Sequence, residues 1–175
     1  MCIRDSFWRA LFAFILTFPV VGLASFLWLN LLNLLQGFGM AVDTQPQTIV
    51  QSFLAIRTPI SLVFLTLLAV IGAPIVEEIV FRGIIYRFLK SRMRKHLAIL
   101  LNALCFAIFH PELVSLLPLF VLGVALCLSY EAYGDIRVPI FLHAVFNLNS
   151  IIFLTNQDTA IPTSTLASNL ILFNI

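Results

Sequence analysis

Three groups that hydrocarbon rejects stand close together in the run Pro74-Ile-Val-Glu-Glu-Ile-Val-Phe-Arg-Gly-Ile-Ile-Tyr-Arg-Phe88: the carboxylates of Glu77 and Glu78 and the guanidinium of Arg82. At a bilayer centre each such group costs ~2.5–3.5 kcal/mol on insertion scales, so it must find a partner inside the protein or line a wet cavity. Glu78 and Arg82 are i and i+4, share one helix face and can pair. Glu77 points about 100° away around the helix and cannot use the same arginine equally well. One paired acid beside one spare acid suits a hydrolytic site, where a carboxylate outside any fixed pair takes a proton from water. Two further apolar stretches carry matching polar groups. Phe106 and His110 are i and i+4, which sets a ring beside an imidazole, and His143 and Asn147 are i and i+4 on one face.

The elements that hold these residues follow from composition. The chain has 175 residues, 61% hydrophobic and 10% charged, with a mean hydropathy of +1.07; a soluble domain is nearer ~45–50% apolar and ~25% charged. That excess excludes a soluble single-core domain and implies an all-α, polytopic transmembrane bundle of about five to six helices. A net charge of +2 with no basic stripe excludes a nucleic-acid partner; the lipid bilayer is the expected surrounding. Cys2, Cys105 and Cys127 have no metal-type spacing and read as packing residues.

The first span is expected over Phe7–Leu35, kinked at Pro19, followed by a polar loop over 36–57 with a short amphipathic helix near its end. A second runs from Thr58 to Leu89. Within it, Gly72-Ala73-Pro74 is expected to interrupt the helix and begin a fresh segment, with Glu77 and Glu78 near a local N-terminus whose dipole favours negative charge. Further spans are expected over Leu97–Pro111, Val114–Ser129 and Val138–Leu154, with the tail to Ile175 a partial helix. The chain thus divides into 1–57 (first helix and loop), 58–156 (a helical core carrying the motifs) and 157–175 (tail). Asn102 reads as packing.

If the second and third spans form a hairpin turning between Met93 and Arg94, Glu77 and His110 lie equally far from the turn and at similar depth. Arg4, Arg9, the basic turn 87–96 and Arg137 then fall on one side and only Arg57 on the other. The positive-inside rule puts the N-terminus and that turn in the cytoplasm, and the membrane is the cell membrane if the source is bacterial.

Glu77-Glu78-x-x-x-Arg82, Phe106-x-x-x-His110 and His143-x-x-x-Asn147, with Pro139-Ile140 before the last, resemble the three motifs of the CAAX prenyl endopeptidase and bacteriocin-immunity family of intramembrane proteases, over roughly residues 58–156. Cys127 stands where that family has a second small residue, one turn after Gly123. The resemblance implies an endopeptidase acting on a membrane-associated protein or peptide, prenylated or not. Glu77 and His110 would position and deprotonate a water, and His143 and Asn147 would hold the oxyanion. Glu78, Arg82 and Phe106 would support them. No cofactor is required on this reading. The alternative is Zn2+ on Glu77, His110 and His143, a His2Glu donor set with an open position, though no His-Glu-x-x-His helix is present. Two other functions compete: a catalytically idle immunity or scaffold protein, and a proton-coupled transporter, since intramembrane Glu and His also form relays.

Overall fold

A computed structural model describes residues 3–42, 58–110 and 112–157, with side chains to residue 153. The amphipathic helix expected late in the 36–57 loop, and the tail helix, lie outside the described residues. All regular structure within them is helical: α1 (Ile3–Gly37), α2 (Pro59–Arg92), α3 (Lys95–Ile108), a 3-10 turn (Leu113–Ser115), α4 (Leu116–Tyr133) and α5 (Arg137–Gln157). Three of these, α1, α2 and the stretch Leu113–Tyr133, are long and apolar enough to cross a membrane. The chain is a membrane protein built as an all-α bundle.

The sequence accounts for several of the boundaries. Thr58 caps α2 by accepting the Ser61 N–H, and Pro59 takes the first turn, where its missing N–H costs nothing. The α2–α3 turn is the extended pair Met93-Arg94, as the hairpin argument requires. Gly134 closes α4 at φ +62, the left-handed position that favours glycine, with its N–H on the Tyr130 carbonyl.

Two expectations are corrected. First, α3 has 14 residues, about 21 Å at 1.5 Å per residue, too short for a ~30 Å hydrocarbon core. The third stretch does not cross by length, and His110 stands beyond the helix end. It precedes Pro111 in the sequence, and the residue before proline is disfavoured in helix. Second, α2 does not break at Pro74. Gly72 (φ −64, ψ −55) and Ala73 (φ −60, ψ −52) stay right-handed helical. The helix instead widens over Leu68–Gly72, where the Ala73 N–H reaches back five residues to the Leu68 carbonyl. Glu77 and Glu78 therefore sit in mid-helix, and the dipole argument for them falls.

α1 packs against α4 and α5, α3 against α4, and α2 against α5 and α3. Phe14 and Phe18 of α1 meet Phe146 of α5 at ring centroid distances of 4.8 and 6.3 Å. Trp28 of α1 donates its Nε1–H to the Leu113 carbonyl (2.8 Å) and ties down the connection that follows His110. α3 approaches α4 closely at Gly123, where a Cβ would lie 3.0 Å from the Ala103 Cα. At the opposite end from His110, Ser6 donates to Asp135 (2.9 Å), the Arg9 guanidinium covers Tyr133, and Lys90 pairs with Glu131. The start of α1, the α2–α3 turn and the α4–α5 turn thus share one end, the same grouping that the basic residues define in the sequence.

Two outcomes follow from this packing. Gly123→Ala forces α3 and α4 apart and costs about 1–3 kcal/mol, read as a lower melting temperature in detergent. Gly22→Ala, whose added Cβ would meet nothing within 4 Å, melts no lower than the parent, since alanine is the better residue inside a helix. Asp135, held by Arg137 at 3.0 Å and by Ser6, has its carboxyl lowered from 3.8 to about 2. A carboxyl lowered on folding contributes stability above its unfolded value and loses it as the group is protonated in the folded state. That contribution is complete above 3.8 and disappears as pH falls to about 2, so Asp135→Asn flattens the stability profile in that window.

Candidate active site

α2 presents its two acids to different surroundings. Glu78 and Arg82 are fully buried and joined Oε1 to Nη1 at 2.7 Å, the i, i+4 pair expected from spacing. The guanidinium is further held by the Gly123 carbonyl of α4 (Nη2, 3.2 Å) and by the face of Phe106 at 4.7 Å. These contacts meet part of the pair's remaining valences, as a buried charge pair requires, while Glu78 Oε2 and Arg82 Nε are buried without a hydrogen-bond partner.

The same Glu78 Oε1 also meets His143 Nδ1 of α5 at 3.0 Å. Spacing on α2 could not show this, because the two residues are 65 apart and on different helices. A carboxylate paired with arginine only accepts, so His143 donates from Nδ1, and in the neutral ring its Nε2 carries the lone pair. His110 is set alike: its Nδ1 lies 2.9 Å from the Phe106 carbonyl, which only accepts, so its Nε2 is also bare. Phe106 is wholly buried and organises the pocket wall. Its ring lies 5.0 Å from His110, 5.7 Å from His143 and 5.1 Å from Phe81.

Both bare nitrogens face Glu77. Its Oε2 lies 3.9 Å from His110 Nε2 and 3.8 Å from His143 Nε2, and makes no hydrogen bond. These separations exceed a direct hydrogen bond, and Oε2 itself is a buried atom. The side chains of Glu77 and His110 are 27% and 29% exposed, against none for Glu78, so the spare acid is the reachable one. The equal-depth argument for Glu77 and His110 agrees with this geometry.

Asn147 is brought to the same part of α2 but to a different atom. Its Nδ2 donates to the Ala69 carbonyl at 2.8 Å. The cause is Pro74: with Ala73 bonded to Leu68, the next donor in the widened register is Pro74, which has no N–H. The orphaned Ala69 carbonyl takes the asparagine instead, leaving the second Nδ2 hydrogen uncommitted. Asn102, read from sequence as packing, does more than fill space. It donates to the Phe81 carbonyl (2.8 Å) and accepts from the Cys127 thiol (3.0 Å). The signal was present, since Asn102 continues the Phe106, His110 stripe one turn earlier, but an asparagine between helices has too many ordinary uses to single out.

One carboxylate and two imidazoles with bare Nε2 atoms are the donor types of a His2Glu zinc set. As placed, they do not meet the fit: among the described residues no group of three or more His, Cys, Asp or Glu side chains is arranged to hold a metal ion.

Against known proteins, the family model described as Type II CAAX prenyl endopeptidase Rce1-like matches residues 59–149, a stretch that includes every site residue above. The chain is 36% identical to YdiL of Bacillus subtilis (strain 168), whose own standing as a membrane peptidase is provisional, over 77 residues, 44% of this chain and 32% of that protein. It is 33% identical to UPF0177 protein YbdI of Lactococcus lactis subsp. lactis (strain IL1403) over 91 residues, 51% of this chain and 49% of that protein. The chain thus spans a third to a half of the length of these relatives. No solved structure matches it.

The two acids are expected to respond differently to loss of charge. Glu78→Gln leaves Arg82 buried without its counter-charge and destabilises the fold by about 3–5 kcal/mol. Glu77→Gln, which breaks no hydrogen bond, melts within about 0.5 kcal/mol of the parent, the range of changes that disturb no buried contact. Thermal unfolding in detergent separates the two.

Proposed function

The chain belongs to the type II CAAX prenyl endopeptidase Rce1-like family, and on that premise we propose that it hydrolyses a peptide bond of a membrane-associated protein or peptide, with Glu77 activating the water. The observation that carries this reading is the Glu77 Oε2, without a hydrogen-bond partner, facing the Nε2 atoms of two imidazoles at 3.8 and 3.9 Å. A water placed there donates one hydrogen to Glu77 and the other to His110 Nε2, so its oxygen lone pair is turned toward substrate. As the oxygen bonds to the scissile carbon, Glu77 takes the proton. The carbonyl electrons move onto oxygen, and on collapse the departing amine receives that proton from Glu77.

The oxyanion needs N–H donors. Asn147 has one Nδ2 hydrogen to spare beyond Ala69. His143 offers an Nε2–H only when its ring is doubly protonated, and an imidazolium there has the Glu78 carboxylate beside it as counter-charge. Sequence spacing pairs Glu78 with Arg82 alone; in this mechanism Glu78 also orients and balances His143. The positive-inside arrangement supports a cytoplasmic N-terminus and basic turn, with a lipid-embedded or lipid-anchored substrate reaching Glu77 from its exposed side.

Cleavage of a membrane-anchored peptide library by the reconstituted protein tests this. Glu77→Gln and His110→Ala are expected to lower kcat by at least about a hundredfold, the scale of a lost general base, with the protein still folded and inserted. Cleavage unchanged in folded Glu77→Gln sinks the assignment of Glu77 as the base; no cleavage by the parent leaves an idle scaffold or a proton relay, which a proton-flux measurement distinguishes. Activity lost to a strong chelator and restored by zinc would replace the glutamate mechanism with a metal one.

A further inference from the structure

Two widened turns flank the acid pair in α2, Leu68–Gly72 before it and Ile79–Tyr86 after it. Each has one backbone carbonyl taken by an asparagine from another helix: Ala69 by Asn147 of α5, and Phe81 by Asn102 of α3, both at 2.8 Å. Asn147 belongs to the proposed chemistry, but Asn102 does not touch it. Asn102 is fully buried, and its amide is held at both ends, since the Cys127 thiol of α4 donates to Oδ1 at 3.0 Å while Nδ2 serves Phe81. That contact also fixes which way the amide points, because the Phe81 carbonyl only accepts.

A widened turn accommodates about one residue more than ordinary α-helix, so its loss would turn one side of α2 against the other by about 100°. The residues that would lose register lie within and beside the Ile79–Tyr86 turn. Phe81 carries the ring stacked on Phe106, Arg82 reaches both Glu78 and the Gly123 carbonyl, and Glu78 holds His143. We propose that Asn102, keyed by the Cys127 thiol, is a positioning residue: by pinning the Phe81 carbonyl it sets Arg82 and Glu78 in the register that holds His143. The kinetic consequence rests on the protease reading; the structural one does not.

The test compares the parent with Asn102→Ala, Cys127→Ser and Cys127→Ala in lipid, measuring kcat, KM, melting, and the 15N-histidine NMR signal of the His143 Nδ1–H. With three histidines in the chain, that signal is assigned by His96→Ala and His110→Ala. Folded Asn102→Ala is expected to lower kcat by about ten- to a hundredfold, the scale of a small misplacement of catalytic groups, with KM near the parent's and the His143 signal shifted. Cys127→Ser, which keeps a donor toward Oδ1, is expected to match the parent, and Cys127→Ala to fall between. Parent-like kcat or a parent-like His143 signal in folded Asn102→Ala overturns the proposal. If Asn102→Ala does not fold, the cysteine pair decides, and identical kcat and signal in Cys127→Ser and Cys127→Ala overturn it. If the parent cleaves nothing, the protease reading fails by itself, and the His143 signal alone upholds or overturns the positioning role.

Discussion

The bundle depends on one buried ion pair, Glu78 with Arg82. Neither side chain touches solvent, and the cost of placing both charges in hydrocarbon is offset only by a set of further contacts: the Gly123 carbonyl, the Phe106 face and the His143 imidazole. Each contact comes from a different helix. The charge pair therefore acts as a node that draws α3, α4 and α5 onto one short stretch of α2. Gly123 has no side chain for a related reason, since α4 must come close enough for its carbonyl to reach the guanidinium.

From that node the division of labour between adjacent acids follows. Glu78 is consumed by structure and by orienting His143, and its burial keeps it from any substrate. Glu77, one residue earlier, faces the other way, is partly exposed and has no hydrogen-bond partner at Oε2. Both imidazoles turn Nε2 to it because their Nδ1 atoms are committed elsewhere, to a carboxylate in His143 and to a backbone carbonyl in His110. Two chemically identical side chains thus take opposite roles through helix geometry alone.

Irregular backbone is the second theme. Pro74 does not break α2; it widens the turn before it, and the carbonyl that loses its donor is bound by Asn147. In hydrocarbon an orphaned carbonyl costs several kcal/mol, so such irregularity persists only where a neighbour supplies the missing donor. The second widened turn, bound by Asn102, follows the same rule. Both asparagines sit in apolar helices because the backbone of α2 leaves them something to bind.

Much was legible before any coordinates. Apolar content determined a helical membrane protein, apolar runs placed the helices approximately, and i, i+4 spacing determined the Glu78–Arg82 pair and the Phe106–His110 contact, because these are local properties of a helix. Equal distance from a turn also sufficed to bring Glu77 near His110. Tertiary structure alone decided that Glu78 is shared with His143, that Asn147 answers the Ala69 carbonyl, and that Asn102 and Cys127 form a chain behind Phe81. Those outcomes turn on which backbone atom loses its partner and which distant side chain arrives to replace it, and no periodicity within one helix encodes the rotation of another.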